Sequence, residues 1–154
     1  MKSIAKIFVL VLVSSSLMLI GCKKDKKDDI PKETYNCVLT AKVDGLVFSV
    51  STPLAQMSMG VLQIGGTNAA GSMQVVMAYD VTAGTYTITG DTDEAVYWKS
   101  GENSFWPMTG SLVVSKHDVS NNIVEGTFTA SLREMSTDVY AEITEGVFKM
   151  KYTE

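Results

Sequence analysis

The chain has 154 residues, of which 45% are hydrophobic and 19% are charged, and its formal net charge is -4. This length and apolar content suit one domain with a hydrophobic core. The acidic balance excludes a basic nucleic-acid-binding protein. Two cysteines are too few for a disulfide-dense scaffold, and no Cys/His spacing is typical of a zinc site.

The first 21 residues have the organisation of a secretory signal peptide. Lys2 and Lys6 supply positive charge, and a mostly apolar, uncharged run covers 7–20. That run is shorter than the about 20 apolar residues of a membrane span. It ends in Leu19-Ile20-Gly21-Cys22, which resembles the lipobox of bacterial lipoproteins. The resemblance implies cleavage before Cys22 and a lipid on its thiol. The alternatives are an ordinary signal peptide with a chance cysteine and an uncleaved membrane anchor.

A charged segment follows Cys22. Residues 22–34 include Lys23-Lys24-Asp25-Lys26-Lys27-Asp28-Asp29 and few apolar side chains, so they predict a solvated tether. We therefore expect a signal peptide over 1–21, the lipidated Cys22 and its tether over 22–34, and a single β domain over 35–154. The lipid would hold the protein at the bacterial outer membrane, and the periplasmic and surface faces both remain open.

The predicted β domain is acidic. From Thr34 onward, 6 basic side chains stand against 13 acidic ones, a formal charge of -7. Its net charge therefore predicts no attraction to nucleic acid or to anionic lipid headgroups.

Period-two alternation dominates the sequence from Asn36 to Tyr152, and no stretch of ten residues has a convincing helical period. Asp44-Gly45 predicts a hairpin turn, because both residues tolerate positive φ. A last hairpin is predicted to turn near Glu145-Gly146. Outside the aromatic hairpin described below, strands are predicted at 37–43, 46–52, 73–79, 84–89, 112–114, 124–132, 139–143 and 148–152.

These strands predict the fold class. About nine short strands separated by Gly, Asn and Asp turns indicate an all-β fold, an antiparallel β-sandwich. A small meander β-barrel is the alternative, since each strand can pair with its neighbour in sequence.

The same pattern resembles a group of small Bacteroidota lipoproteins assigned to a domain of unknown function. The shared motifs consist of turn glycines and inward aromatic residues, so the resemblance implies the fold and the cell envelope but no catalytic residue. The shared motifs are Ala41-Lys42-Val43-Asp44-Gly45 with Phe48, Gly84-Thr85-Tyr86-Thr87, Gly126-Thr127-Phe128 and Ile143-Thr144-Glu145-Gly146-Val147-Phe148.

Two aromatic pairs form the most suggestive binding feature. Tyr97-Trp98 and Phe105-Trp106 flank a loop over 99–104, as in a β-hairpin. If Trp98 pairs with Phe105, then Tyr97 pairs with Trp106 on the opposite face. One pair would then lie in the core, and the other could stack on sugar rings or anchor a protein partner. In the alternative, loops or a turn at Trp106-Pro107 cover the second pair.

The single histidine favours a structural role. His117 precedes Asp118, which suits a turn cap. Ser115 and Asp118 lie close in sequence, but adjacent strand residues point to opposite faces, which argues against a local catalytic triad.

The other polar and sulfur-containing side chains of note are also predicted to have structural roles. Asp91, Asp93 and Glu94 lack the register of a calcium-binding loop, and a weak calcium site there remains open. Cys37 shares a face with Leu39, which predicts a small buried apolar side chain. Four methionines are predicted to fill the core: Met57, Met59, Met73 and Met77.

The sequence therefore predicts a lipid-anchored envelope lipoprotein with a non-enzymatic binding or accessory β domain. The alternative is a glycan or small-ligand binder that uses the hairpin around Trp98 and Trp106. A hydrolase would need His117 in a cleft with a distant carboxylate and a hydroxyl. We expect no catalytic residue, no metal ligand and no cofactor.

Overall fold

The computed structural model describes residues 35–153, so the predicted signal peptide, Cys22 and the tether lie outside the described residues. Every regular element within 35–153 is a β-strand. No helix among these residues is long and apolar enough to cross a membrane. The ten strands are β1 (Val38–Val43), β2 (Leu46–Ser49), β3 (Leu54–Ser58), β4 (Val61–Asn68), β5 (Gly71–Ala78), β6 (Gly84–Thr89), β7 (Ala95–Ser100), β8 (Asn103–Asp118), β9 (Ile123–Glu134) and β10 (Tyr140–Lys151).

The strands form one antiparallel sheet that curls into a half-barrel. Their order is β2-β1-β10-β9-β8-β7-β5-β4-β3, and β6 pairs with β8 beside that path. The predicted all-β antiparallel class is confirmed. The topology departs from a plain meander, because β6 pairs with β8 and β1 pairs with β10. Where the sheet curls round, Met57 of β3 donates its backbone N–H to the carbonyl of Thr153 at 2.8 Å.

The concave face of the sheet holds one hydrophobic core. Strand β9 illustrates the pattern, because alternate residues from Val124 to Leu132 are buried while the residues between them are exposed or half-buried. This matches the predicted alternation. Cys37 packs against the same core, as its shared face with Leu39 predicts, but it is half-buried and not fully buried.

Two glycines on neighbouring strands make room for two phenylalanines. Gly126 in β9 lies opposite Phe148 in β10, and Gly146 in β10 lies opposite Phe128 in β9. A Cβ on Gly146 would lie only 2.5 Å from the carbonyl oxygen of Phe128. The two phenyl rings stack with their centroids 6.4 Å apart. The two Gly-x-Phe motifs are therefore reciprocal packing motifs.

The predicted last hairpin is wrong. Residues 140–151 form one continuous strand, β10, and the register to β9 shifts between Ile143 and Gly146. Glu145 has a φ of 51°, so this residue adopts the left-handed conformation that turns also use, but it does so within a β-bulge. The bulge changes which alternate residues point inward, and it lets Ile143, Gly146 and Phe148 all be buried.

Positive φ angles shape two hairpin turns. Asp44 and Gly45 have φ values of 49° and 80°, as the predicted β1–β2 turn requires. Met59 and Gly60 repeat this geometry at 51° and 79° and join β3 to β4, two strands absent from the predicted set. Met59 is 86% exposed, so its prediction as core filler is wrong. The other three methionines lie in the core or pack against it: Met57, Met73 and Met77.

The turn between β9 and β10 is closed by the buried carboxylate of Glu134. Its Oε2 accepts hydrogen bonds from the backbone N–H groups of Ser136 at 2.8 Å and Thr137 at 2.6 Å, and from the Thr137 hydroxyl at 2.7 Å. The hydroxyl bond is the largest cause that lowers the pKa of Glu134 below its ordinary value. Asp118 caps the β8–β9 turn, and a side-chain hydrogen bond from Asn121 likewise lowers the pKa of Asp118.

Acid is expected to destabilise the domain in part through Glu134. Because the pKa of this carboxyl is lower in the folded than in the unfolded chain, its contribution is complete at neutral pH. That contribution is lost as the pH falls through the folded-state pKa. Glu134→Gln removes the titration, so the difference in free energy of unfolding between wild type and variant should shrink on acidification. Urea denaturation at neutral pH and at about pH 3 measures this, and a difference independent of pH would contradict it.

Candidate functional site

Strands β7 and β8 form the aromatic hairpin that the sequence predicts. Trp98 pairs with Phe105, and Ser100 pairs with Asn103. The strands therefore continue further than expected, and the connection is a two-residue turn in which Gly101 has a φ of 58°. The predicted register of the hairpin is confirmed.

The inner pair of the hairpin belongs to the core. Trp98 is 5% exposed and Phe105 is 7% exposed. The Trp98 ring meets Phe48 edge-on, with centroids 5.2 Å apart, and lies so close to Gly71 that a Cβ there would be 2.6 Å from the indole. Both inner residues line a shallow cavity of about 270 Å³ at the end of the half-barrel. Their main role is packing.

The outer pair lies on the convex face of the sheet. Tyr97 and Trp106 are half-buried, and their rings meet edge-to-face at 87° with centroids 5.6 Å apart. Burial raises the pKa of the Tyr97 hydroxyl. The turn at Trp106-Pro107, which the alternative interpretation offered as a cover, is absent: both residues lie within β8, and the register to β9 shifts just after Pro107. The outer pair is therefore covered only in part.

The outer pair is the centre of a row of side chains that crosses five strands. Gln74 of β5 lies opposite Tyr97, Trp106 lies opposite Arg133 of β9, and Arg133 lies opposite Tyr140 of β10. We call these five residues the outer-face row. With about 4.8 Å between neighbouring strands, the row is about 19 Å long. It joins planar amide, phenol, indole and guanidinium groups, each of which can form hydrogen bonds.

Contacts beside the row fix two of its members. Gln74 donates from Nε2 to Oε1 of Gln63 at 2.9 Å. Arg133 donates from Nε to Oδ1 of Asp138 at 2.8 Å, and its Nη2 contacts the same oxygen. This hydrogen bond and the charge of Asp138 raise the pKa of Arg133. Tyr140 is 57% exposed. The cation of the row thus has an anion beside it.

The described chain begins at the opposite end of the sheet from this row. The Tyr35 hydroxyl donates to Oε1 of Glu125 at 2.9 Å, and Nζ of Lys149 lies 5.1 Å from the centre of the Tyr35 ring. Burial, together with Glu125, raises the pKa of Tyr35. Glu125 and Arg133 both lie on β9, and the strand between them spans about 27 Å.

His117 ties three parts of the fold together near that starting end. Its Nδ1 lies 2.7 Å from the carbonyl oxygen of Val81, and its Nε2 lies 3.0 Å from the hydroxyl of Tyr152. A carbonyl oxygen can only accept, so Nδ1 donates to Val81, and Nε2 forms a second hydrogen bond with the Tyr152 hydroxyl. The predicted cap by Asp118 is confirmed, since its Oδ1 accepts from the backbone N–H of Asn121 at 3.1 Å.

The acidic segment at 91–94 forms the connection between β6 and β7. The Thr92 hydroxyl organises it by donating to the carbonyl of Glu94 at 3.0 Å and accepting from the N–H of Thr89 at 3.0 Å. Asp91 and Asp93 are exposed. Among residues 35–153, no three His, Cys, Asp or Glu side chains are arranged to hold a metal ion.

The comparison with known proteins assigns a family to this fold. No curated protein and no solved structure shows significant similarity to the chain. A family model described as a domain of unknown function, DUF6252, matches residues 35–150. This match covers almost all of the half-barrel, and it confirms the expected relation to proteins with a domain of unknown function. The chain therefore belongs to the DUF6252 family.

Proposed function

We propose that this chain is a lipid-anchored lipoprotein of the bacterial cell envelope whose β domain is a non-enzymatic binding module. The observation that carries the proposal is the outer-face row, with its half-buried aromatic pair continued by Arg133 and Tyr140. Tyr, Trp and Arg are enriched in the parts of binding surfaces that contribute most affinity. The same convex face is otherwise rich in small hydroxyl side chains: Thr85, Thr87, Thr109, Ser111, Thr127, Thr129 and Ser131.

The position of the row suits a surface that faces away from a membrane. A lipid on Cys22 would be joined to Tyr35 by the residues of the predicted tether, whose extended length is roughly 45 Å. Tyr35 is bound at the end of β9 that lies about 27 Å from Arg133. Such an anchor would leave the row at the far end of the domain, where an envelope partner can reach it.

The ionisable side chains near the row support binding rather than catalysis. Asp138 accepts from Arg133, and Glu134 accepts three hydrogen bonds within its turn. His117 lies towards the other end of the sheet, opposite Val124, and both of its ring nitrogens have partners. These groups are engaged in holding turns and strands. A glycan and a protein are both partners that a partly exposed aromatic surface can hold.

The anchor is tested by intact-mass spectrometry of protein extracted from membranes. We expect a chain that begins at Cys22 and has a mass gain of lipid size. Cys22→Ala lacks the thiol that would receive the lipid, so the mass gain should be absent and the protein should leave the membrane fraction. Cys37→Ala is the matched control and should keep the lipid. A free thiol at Cys22, or cleavage elsewhere, would overturn the anchor.

A further inference from the structure

We propose that the outer-face row binds a neutral polysaccharide chain lying across the strands, an inference that rests on the proposed binding function. Tyr97 and Trp106 supply aromatic surface, and pyranose rings have apolar C–H faces that pack against aromatic rings. Gln74, Arg133 and Tyr140 place hydrogen-bond donors and acceptors directly beside this surface. The row therefore offers both kinds of contact that a sugar ring requires, side by side along one line.

The shape of the row favours a polymer over a single sugar. The row spans about 19 Å across five strands, and it lies on a convex face that is open at both ends. Beyond Gln74, the next position in the register is Gly65, which has no side chain to block the path, followed by Leu54, which is 72% exposed. At the other end, Tyr140 is 57% exposed. A linear ligand can thus extend past either end.

Charge favours a neutral polymer over an anionic one. The row contains a single cation, Arg133, and Asp138 forms an ion pair with it. The domain from Thr34 onward has a formal charge of -7, which repels polyanions at low ionic strength. The remaining members of the row, an amide, two phenols and an indole, are uncharged hydrogen-bonding groups suited to hydroxyls.

Calorimetric titration of the full chain in detergent tests the proposal. The neutral probes are hexasaccharides of β-1,4-glucan, β-1,3-glucan, xylan, mannan and chitin, and a polygalacturonate hexamer is the anionic probe. We expect at least one neutral hexasaccharide to bind, and its disaccharide to bind more weakly because it fills less of the row. Trp106→Ala should weaken binding at least about tenfold. Tyr79→Ala removes an aromatic residue that is 50% exposed outside the row, and it should bind as wild type does.

Several results would overturn the proposal. They are failure of every neutral hexasaccharide to bind, binding of polygalacturonate alone, or equal binding by wild type and Trp106→Ala. If circular dichroism finds Trp106→Ala unfolded, Tyr140→Ala decides instead, because this exposed residue can be removed with little loss of packing; unchanged binding would then reject the row. A lipidated chain that binds no saccharide rejects only the ligand class. Saccharide binding without a lipid on Cys22 rejects only the anchor.

Discussion

Trp98→Ala is expected to lower the free energy of unfolding by about 3–5 kcal/mol, as large-to-small substitutions of buried aromatic residues do. The indole is 5% exposed and packs against Phe48 and over Gly71. Its loss leaves a cavity that Phe48, held within its own strand, cannot fill. Guanidinium denaturation followed by far-ultraviolet circular dichroism measures the effect without relying on tryptophan fluorescence.

Trp106→Ala is the matched comparison on the other face of the same hairpin. Trp106 is half-buried and has Tyr97 as its ring partner, so we expect a loss of about 1–2 kcal/mol, smaller than at Trp98. Similar losses for the two variants would contradict the division of the hairpin into a packing face and a binding face. A stable Trp106→Ala variant also allows its ligand binding to be interpreted.

Gly126→Ala is expected to lower the free energy of unfolding by about 3 kcal/mol, at the upper end of what overpacking costs. A Cβ at this position would collide with the carbonyl oxygen of Val113 in β8 and lie 2.5 Å from the Phe148 ring in β10. Because the carbonyl belongs to the backbone of a paired strand, relief requires β8 and β9 to move apart. Thermal and urea denaturation both report the loss.

Gly84→Ala is the control for this substitution. Gly84 also lies in a strand, β6, but a Cβ there would have the Tyr86 ring as its nearest neighbour at 3.7 Å, an ordinary contact. We expect little change in stability. If Gly126→Ala were no more damaging than Gly84→Ala, the reciprocal Gly–Phe packing would not constrain the spacing of β8, β9 and β10.

The fold could be predicted from sequence wherever one strand pairs with its neighbour through a short turn. The β1–β2 turn at Asp44-Gly45 and the β7–β8 pairing of Trp98 with Phe105 follow from local signals. Glu145-Gly146 misleads because positive φ serves a bulge as well as a turn. What distinguishes the bulge from a turn is that both halves of β10 pair with β9. That pairing is a long-range contact. The pairings of β1 with β10 and of β6 with β8 are also set by the whole fold.

Only part of the candidate site could be predicted from the sequence, because the rest depends on the register between β8 and β9. The hairpin register places Tyr97 beside Trp106, but Arg133 reaches Trp106 through the β8–β9 pairing. If that pairing continued from Asp118 opposite Ile123 without interruption, Trp106 would lie opposite Met135. Two irregularities in β8, one after Pro107 and one after Val114, each shift the register by one residue. Bulges of this kind carry little sequence signal, so Arg133 and Tyr140 could be identified only from the folded sheet.

The place where the chain enters the sheet also determines how the domain carries a mechanical load. Strand β1 starts just after Tyr35 and runs between β2 and β10, paired antiparallel with both. A pull on the residues before Tyr35, opposed by a partner held at the outer-face row, acts nearly along the strand axes. The hydrogen bonds between β1 and β10, which join β1 to the part of the sheet that holds the row, then carry the force in shear and do not open one after another. Forced unfolding is governed by the unfolding rate. This geometry therefore favours slow unfolding of the domain under tension.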